Sequence, residues 1–160
     1  MNQRPASFSR VILLLCASLC FSAAQAAIPP EQAACSARLQ AIRPDDPSFK
    51  RLDKIYRQSL RFGGTVHRIL PSFHATHDDL VAAKSRMSAQ DIPYMVYELA
   101  QAEEPNARQR VAVGVLGLFG PQALPCIAAA MLDARIPGRF TLNQIRIGIE
   151  AERVSTTRAQ

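Results

Sequence analysis

The chain has 160 residues, 48% of them hydrophobic and 20% charged, with 19 basic and 13 acidic side chains and a formal net charge of +6. That length and apolar share suit one domain with a real core. The basic excess is compatible with an acidic partner or an anionic surface and proves neither.

The first residues bear on compartment. MNQRPASFSR carries Arg4 and Arg10 without an acid, VILLLCASLCFSAA is an apolar run, and AQA at Ala24 to Ala26 has the small-x-small form of a cleavage site. This order predicts a secretory signal peptide over residues 1–26, with an apolar core too short to span a bilayer, and a periplasmic mature chain. Cys16 and Cys20 each follow a leucine, which argues against lipidation. Cleavage leaves about 134 residues and a net charge of about +4. Export also removes nucleic acid as an expected ligand. Cys35 and Cys126 remain as an even pair in an oxidising compartment, open to a disulfide, to two buried free thiols or to an intermolecular bridge.

Helical spacing dominates the rest of the chain, in a domain expected over residues 27–153. After Pro29-Pro30, Cys35, Leu39 and Ile42 fall at i, i+4 and i+7. Asp46-Pro47 reads as an N-cap with proline at the first helical position. The helix it opens sets Phe49, Leu52, Ile55, Tyr56 and Phe62 on one broad face, and Gly63-Gly64 breaks it. Val66, Ile69, Leu70 and Phe73 restart the 3.6-residue period until Pro71 and a polar run intervene. Thr76 with Asp79 reads as a capping box, and Thr141 with Gln144 as a better one. The last helix carries Leu142, Ile145 and Ile149, and residues 154–160 read as a frayed, disordered tail.

An internal comparison organises the second half. Asp91–Pro105 set against Ala123–Pro137 superimposes both prolines at an interval of 32 residues. Ile92, Met95, Val96 and Leu99 then meet Leu124, Ile127, Ala128 and Met131, although only three of the fifteen positions are identical. Each unit is a helix, a short turn and a second helix that cannot bury its apolar face alone. Here the chain resembles the HEAT-repeat family: Glu104, Pro105, Arg108, Gly120, Pro121, Leu124 and Pro125 match its helix openings and turn. Ala107 departs from a frequent valine, and the interval is shorter than the usual run of about 40–47 residues. The resemblance covers roughly Gln90–Pro137, weakens over Thr76–Ala89 and is absent before Gly63. It implies an all-α single domain of stacked antiparallel helix pairs, HEAT-like in the C-terminal two-thirds, with a protein-binding habit.

Candidate chemistry is sparse. Val111 to Leu132 has no charged residue, but Gly120-Pro121 at its centre favours two buried helices over a span. Cys126 sits near a helix start, yet its repeat equivalent is Tyr94 and no cysteine-enzyme signature surrounds it. His74-x-x-His77 with Asp78 and Asp79 has a metal-compatible spacing but lacks a second ligand pair, and His67 stands apart. No GxSxG, P-loop, CxxC or HExxH pattern is present, and neither a cofactor nor a catalytic residue is expected.

Two surfaces are the better candidates for binding a partner. Lys50, Lys54, Arg57 and Arg61 at i, i+4, i+7 and i+11 predict a basic stripe, either solvated or docking an acidic partner or headgroups. Tyr94 and Tyr97 with Glu98 and Gln101 occupy the helix face opposite Ile92, Met95 and Leu99, either packed by a neighbour or serving as an interface anchor. The expected function is therefore non-enzymatic binding of another protein, with self-association left open. In size, export, fold type and missing catalytic motifs the chain resembles immunity proteins that protect against type VI peptidoglycan amidase effectors. An envelope scaffold is the alternative, and an enzyme using Cys126 or a metal at His74 and His77 the least favoured reading.

Overall fold

The computed structural model describes residues 28–66 and 70–158, with side chains other than those of 62–73 and 158. The expected signal peptide, His67 and Ile69 lie outside the described residues.

Prolines and polar caps set most helix starts. Helix α1 spans Pro30–Ala41, with proline in its first turn, where the missing N–H has no helical acceptor to lose. Helix α2 spans Pro47–Ser59, and the Asp46 carboxylate accepts from the Ser48 N–H at 2.8 Å. Leu52, Ile55 and Tyr56 of α2 are buried, as the spacing predicts. Helix α3, His77–Lys84, begins at the capping box of Thr76 and Asp79. A 3-10 turn over Ala89–Asp91 leads into α4, Ile92–Ala100, and α5 spans Ala107–Phe119 behind a capping box of Asn106 and Gln109. A second 3-10 turn, Gly120–Ala123, leads into α6, Leu124–Ala130, and α7 spans Arg139–Arg158.

Three local expectations are corrected. The segment from Val66 to Phe73 is not helical: β1 (Arg61–Val66) and β2 (Leu70–His74) form an antiparallel hairpin, with Val66 opposite Leu70 and Phe62 opposite Phe73. A helix there would place Pro71 in its interior, losing a hydrogen bond and clashing with the preceding turn. The pairing shifts between Phe62 and Thr65, where Gly63-Gly64 lies. Phe62 consequently leaves the α2 face. Second, Thr141 and Gln144 do not cap a helix, because α7 has already begun at Arg139. The chain is fixed there by backbone instead: Gly138 donates to the Ala100 carbonyl at 3.1 Å. A Cβ on Gly138 would lie 1.8 Å from the Leu99 carbonyl oxygen, so only glycine permits this approach. Third, the tail from Val154 is helical to Arg158, with its described side chains exposed.

The fold is all-α in one domain, with the hairpin inserted between α2 and α3. The 32-residue interval is visible in it. Ile92 and Leu124 begin α4 and α6, Ala107 and Arg139 begin α5 and α7, and α4 and α6 are each preceded by a 3-10 turn. Pro93 and Pro125 both fall in the first helical turn. Helices α3, α5 and α7 neighbour one another in that order, α4 neighbours α6, and α4 also packs on α5 and α7. Leu52, Met95, Leu99, Val115, Leu116, Ile127 and Leu142 form the fully buried centre between them. Each such side chain contributes about 1.5–3 kcal/mol by leaving water. The uncharged run from Val111 is apolar enough to cross a bilayer by length and composition. Here it folds back at Gly120, whose φ of 60° suits glycine, into α5 and α6.

Helix α1 packs against α4 and α6 without fully burying any residue. A disulfide joins its Cys35 to Cys126 of α6, with the Cα atoms 5.0 Å apart and a sequence separation of 91 residues.

Candidate protein-docking surfaces

The expected basic stripe is broken. Lys50 and Lys54 lie on α2, but α2 ends at Ser59 and Arg61 belongs to β1. Arg61 is committed to Asp79: its Nε donates at 2.8 Å and its Nη2 at 2.7 Å. Those bonds, with others from the Thr76 hydroxyl and N–H, hold the Asp79 carboxyl far below the ordinary carboxylate range. Arg57 donates to Asp53 at 2.7 Å, and Arg108 of α5 pairs with the other oxygen of the same carboxylate. Half of the stripe thus stitches the hairpin, α2, α3 and α5 together.

The two tyrosines are packed rather than free. Phe49 meets the Tyr94 ring edge-on at 5.6 Å between centroids and the Tyr97 ring at 5.8 Å in a tilted arrangement. The Tyr94 hydroxyl donates to Asp46 at 3.1 Å, tying α4 to the N-cap of α2. Glu98 faces inward on the same helix. Burial, then the nearby Asp53 charge, raises its pKa. Burial, with Glu98 and then Asp91 beside it, likewise pushes the Tyr56 phenol up. Tyr94, Tyr97 and Glu98 therefore sit at internal joints, as does Arg57, and Gln101 is exposed at the end of α4.

Two recesses lie outside these joints. A polar cleft of about 620 Å³ opens between α1, α2 and the start of α4, with Arg38, Ser48, Arg51, Gln90, Asp91 and Tyr94 on its walls. Asp91 is 3% exposed, accepts from the Ser88 N–H at 2.8 Å and pairs with Arg51 Nη2, so this buried charge is compensated. An apolar groove of about 630 Å³ runs between α3, α5 and α7, lined by Leu80, Val113, Gly117, Leu118, Phe140 and Ile145.

Helix α7 also carries a second apolar face. Phe140, Ile147 and Val154 are 73%, 45% and 53% exposed at i, i+7 and i+14, while Leu142, Ile145 and Ile149 face the core. At the 32-residue interval Gln144 and Ile147 correspond to Ala112 and Val115, both buried on α5. The sequence holds this signal, but the stronger inward stripe of the same helix masks it. The Arg38–Arg51–Asp91 grouping, drawn from α1, α2 and the turn before α4, has no local spacing that would reveal it.

Catalytic alternatives find little support. Cys126 is a disulfide sulfur, not a thiolate. His74 and His77 are exposed, Asp79 is occupied by Arg61, and among the described residues no three metal-ligating side chains converge. No family model matches the chain, and no curated protein or solved structure is significantly similar to it.

Proposed function

We propose that this is an exported, non-enzymatic protein-binding module of HEAT-like stacked helices, and specifically an inhibitor that occludes a cell-wall-degrading effector of the peptidoglycan amidase class. The observation that carries the reading is the outward apolar face of α7. Three large side chains on one helical stripe, with Phe140 73% exposed beside an apolar groove, are costly to leave in water and suited to burial against another protein. The corresponding positions on α5 are covered by neighbouring helices, so this face has the spacing and chemistry of a helix contact. The narrower assignment to an amidase rests on the resemblance in size, export signal and missing catalytic motifs.

The test is inhibition of a purified peptidoglycan amidase encoded beside this chain. Stoichiometric loss of amidase activity is the expected result, with Phe140→Glu weakening the complex about thirtyfold or more, as for a buried aromatic anchor. Full amidase activity at a saturating excess of this protein would remove the inhibitor reading. Unchanged affinity in Phe140→Glu and Ile147→Glu would remove α7 as the contact.

A further inference from the structure

The polar cleft has an excess of unused cationic donors. Only Nη2 of Arg51 is engaged, by Asp91, and the Arg51 side chain is 49% exposed. Arg38 on the opposing helix, with Lys50 and Lys54 on α2, has no ion-pair partner among the described residues. The acids at the cleft are already occupied. Asp91 holds Arg51 and the Ser88 N–H, and Asp46 accepts from the Ser48 N–H and the Tyr94 hydroxyl. What remains unmet is a demand for negative charge, in a recess with room for a few side chains.

We infer that this cleft receives an acidic segment of a protein partner, with an Asp or Glu carboxylate bridging Arg38 and Arg51. The inference rests on the proposed protein-binding function and adds the chemistry of a second contact. Guanidinium groups suit it because they bind carboxylates through paired N–H donors, as Arg61 does with Asp79. Ser48 and Gln90 on the walls supply hydrogen-bonding groups for a peptide backbone. A membrane surface fits less well. The large exposed apolar side chains are Ile28, Val81, Leu132, Phe140, Ile147 and Val154, none of them on α2, whose apolar face is buried.

The cleft is also conditional on the disulfide. Arg38 lies one turn from Cys35 on α1, the helix that buries no residue fully and is bonded to α6 through that cysteine. Reduction removes the Arg38 wall, whereas Arg51, Lys50 and Lys54 belong to α2, which has its own buried residues. Diffuse attraction to the lysines and seating in the cleft therefore respond differently to reductant.

The oxidised protein is titrated, with amide resonances followed, against a blocked nonapeptide rich in Asp and Glu, a lysine-substituted control peptide, and phosphatidylglycerol vesicles. The acidic peptide is expected to shift Arg38, Arg51, Gln90 and Tyr94 resonances. Arg38→Glu, which disrupts no ion pair among the described residues, and disulfide reduction should each weaken binding about tenfold or more, as for a directly contacting charge. Affinity unchanged by both overturns the inference, as does vesicle binding that the peptide does not match. If an amidase is inhibited but the peptide fails to bind, the cleft inference falls alone. If the peptide binds and no amidase is inhibited, the inhibitor reading falls alone.

Discussion

Helices α1 and α6 begin alike and end differently. Both are short, alanine-rich and opened by a proline, and each supplies one cysteine to the same disulfide. Yet α6 buries Cys126, Ile127 and Ala129, whereas α1 fully buries nothing. The difference is position in the array. Helix α6 repeats α4 at 32 residues and lies against α4 and α7, so its apolar face is enclosed. Helix α1 lies outside that period, touches the array on one side and keeps Glu31 and Arg38 in solvent. Composition alone does not decide burial here; membership of the stack does, while a covalent link holds what the stack does not enclose.

The largest expected effect tests the array. Leu116→Ala removes a fully buried side chain at its centre and should cost about 2–5 kcal/mol, with one cooperative urea transition shifted to lower denaturant. Two resolved transitions would show that the stack is not one unit. Next comes the link: Cys35→Ala with Cys126→Ala should cost about 2–4 kcal/mol. Hydrogen exchange should then find α1 amides unprotected and α4 to α6 amides still slow. Loss of protection in both regions together would erase the contrast between α1 and α6.

Smaller effects come from the caps. Asn106→Ala and Asp46→Ala each remove a side chain that satisfies orphan N–H groups, at about 1 kcal/mol. The first should lower the global transition, while the second should also free the Tyr94 hydroxyl, visible as a local chemical-shift change. The smallest effect is titration at the surface. Asp79 has a pKa depressed below its ordinary value of 3.8, so its contribution is present above that pH and is lost as pH falls toward the depressed value. Glu98 runs the other way. Its raised pKa means a contribution present below its ordinary 4.5 and lost as pH climbs through the raised value. Acid should therefore loosen the hairpin anchor at Arg61 while relieving the α4 joint. Proton titration monitored at β1 and α4 amides would separate the two, and parallel changes would refute the opposite signs.

Much of this architecture is legible in the residues. Asp46-Pro47, the Thr76–Asp79 box and the two prolines 32 residues apart name helix starts because capping and proline geometry are local. The hairpin is missed because Val66, Ile69, Leu70 and Phe73 satisfy helical spacing, and Pro71 at that point outweighs periodicity. The Tyr94 and Tyr97 face is misleading for a different reason. Its partner Phe49 comes from a helix more than forty residues earlier, and no spacing rule reports that contact. The same holds for Asp53, which serves Arg57 by an i, i+4 rule and Arg108 only through the fold. Outward apolar residues on α7, by contrast, are readable at seven-residue spacing once the inward set is assigned.

The disulfide has a consequence for the order in which the molecule assembles. A chain emerging from its N-terminus presents Cys35 long before Cys126, 91 residues later. Until α6 has docked on α4, α1 lacks the surface it rests on, and closing so long a loop costs entropy that no earlier contact repays. The first described helix in sequence is thus the last to find its place, and the wall it adds to the polar cleft is the final part of the surface to be built.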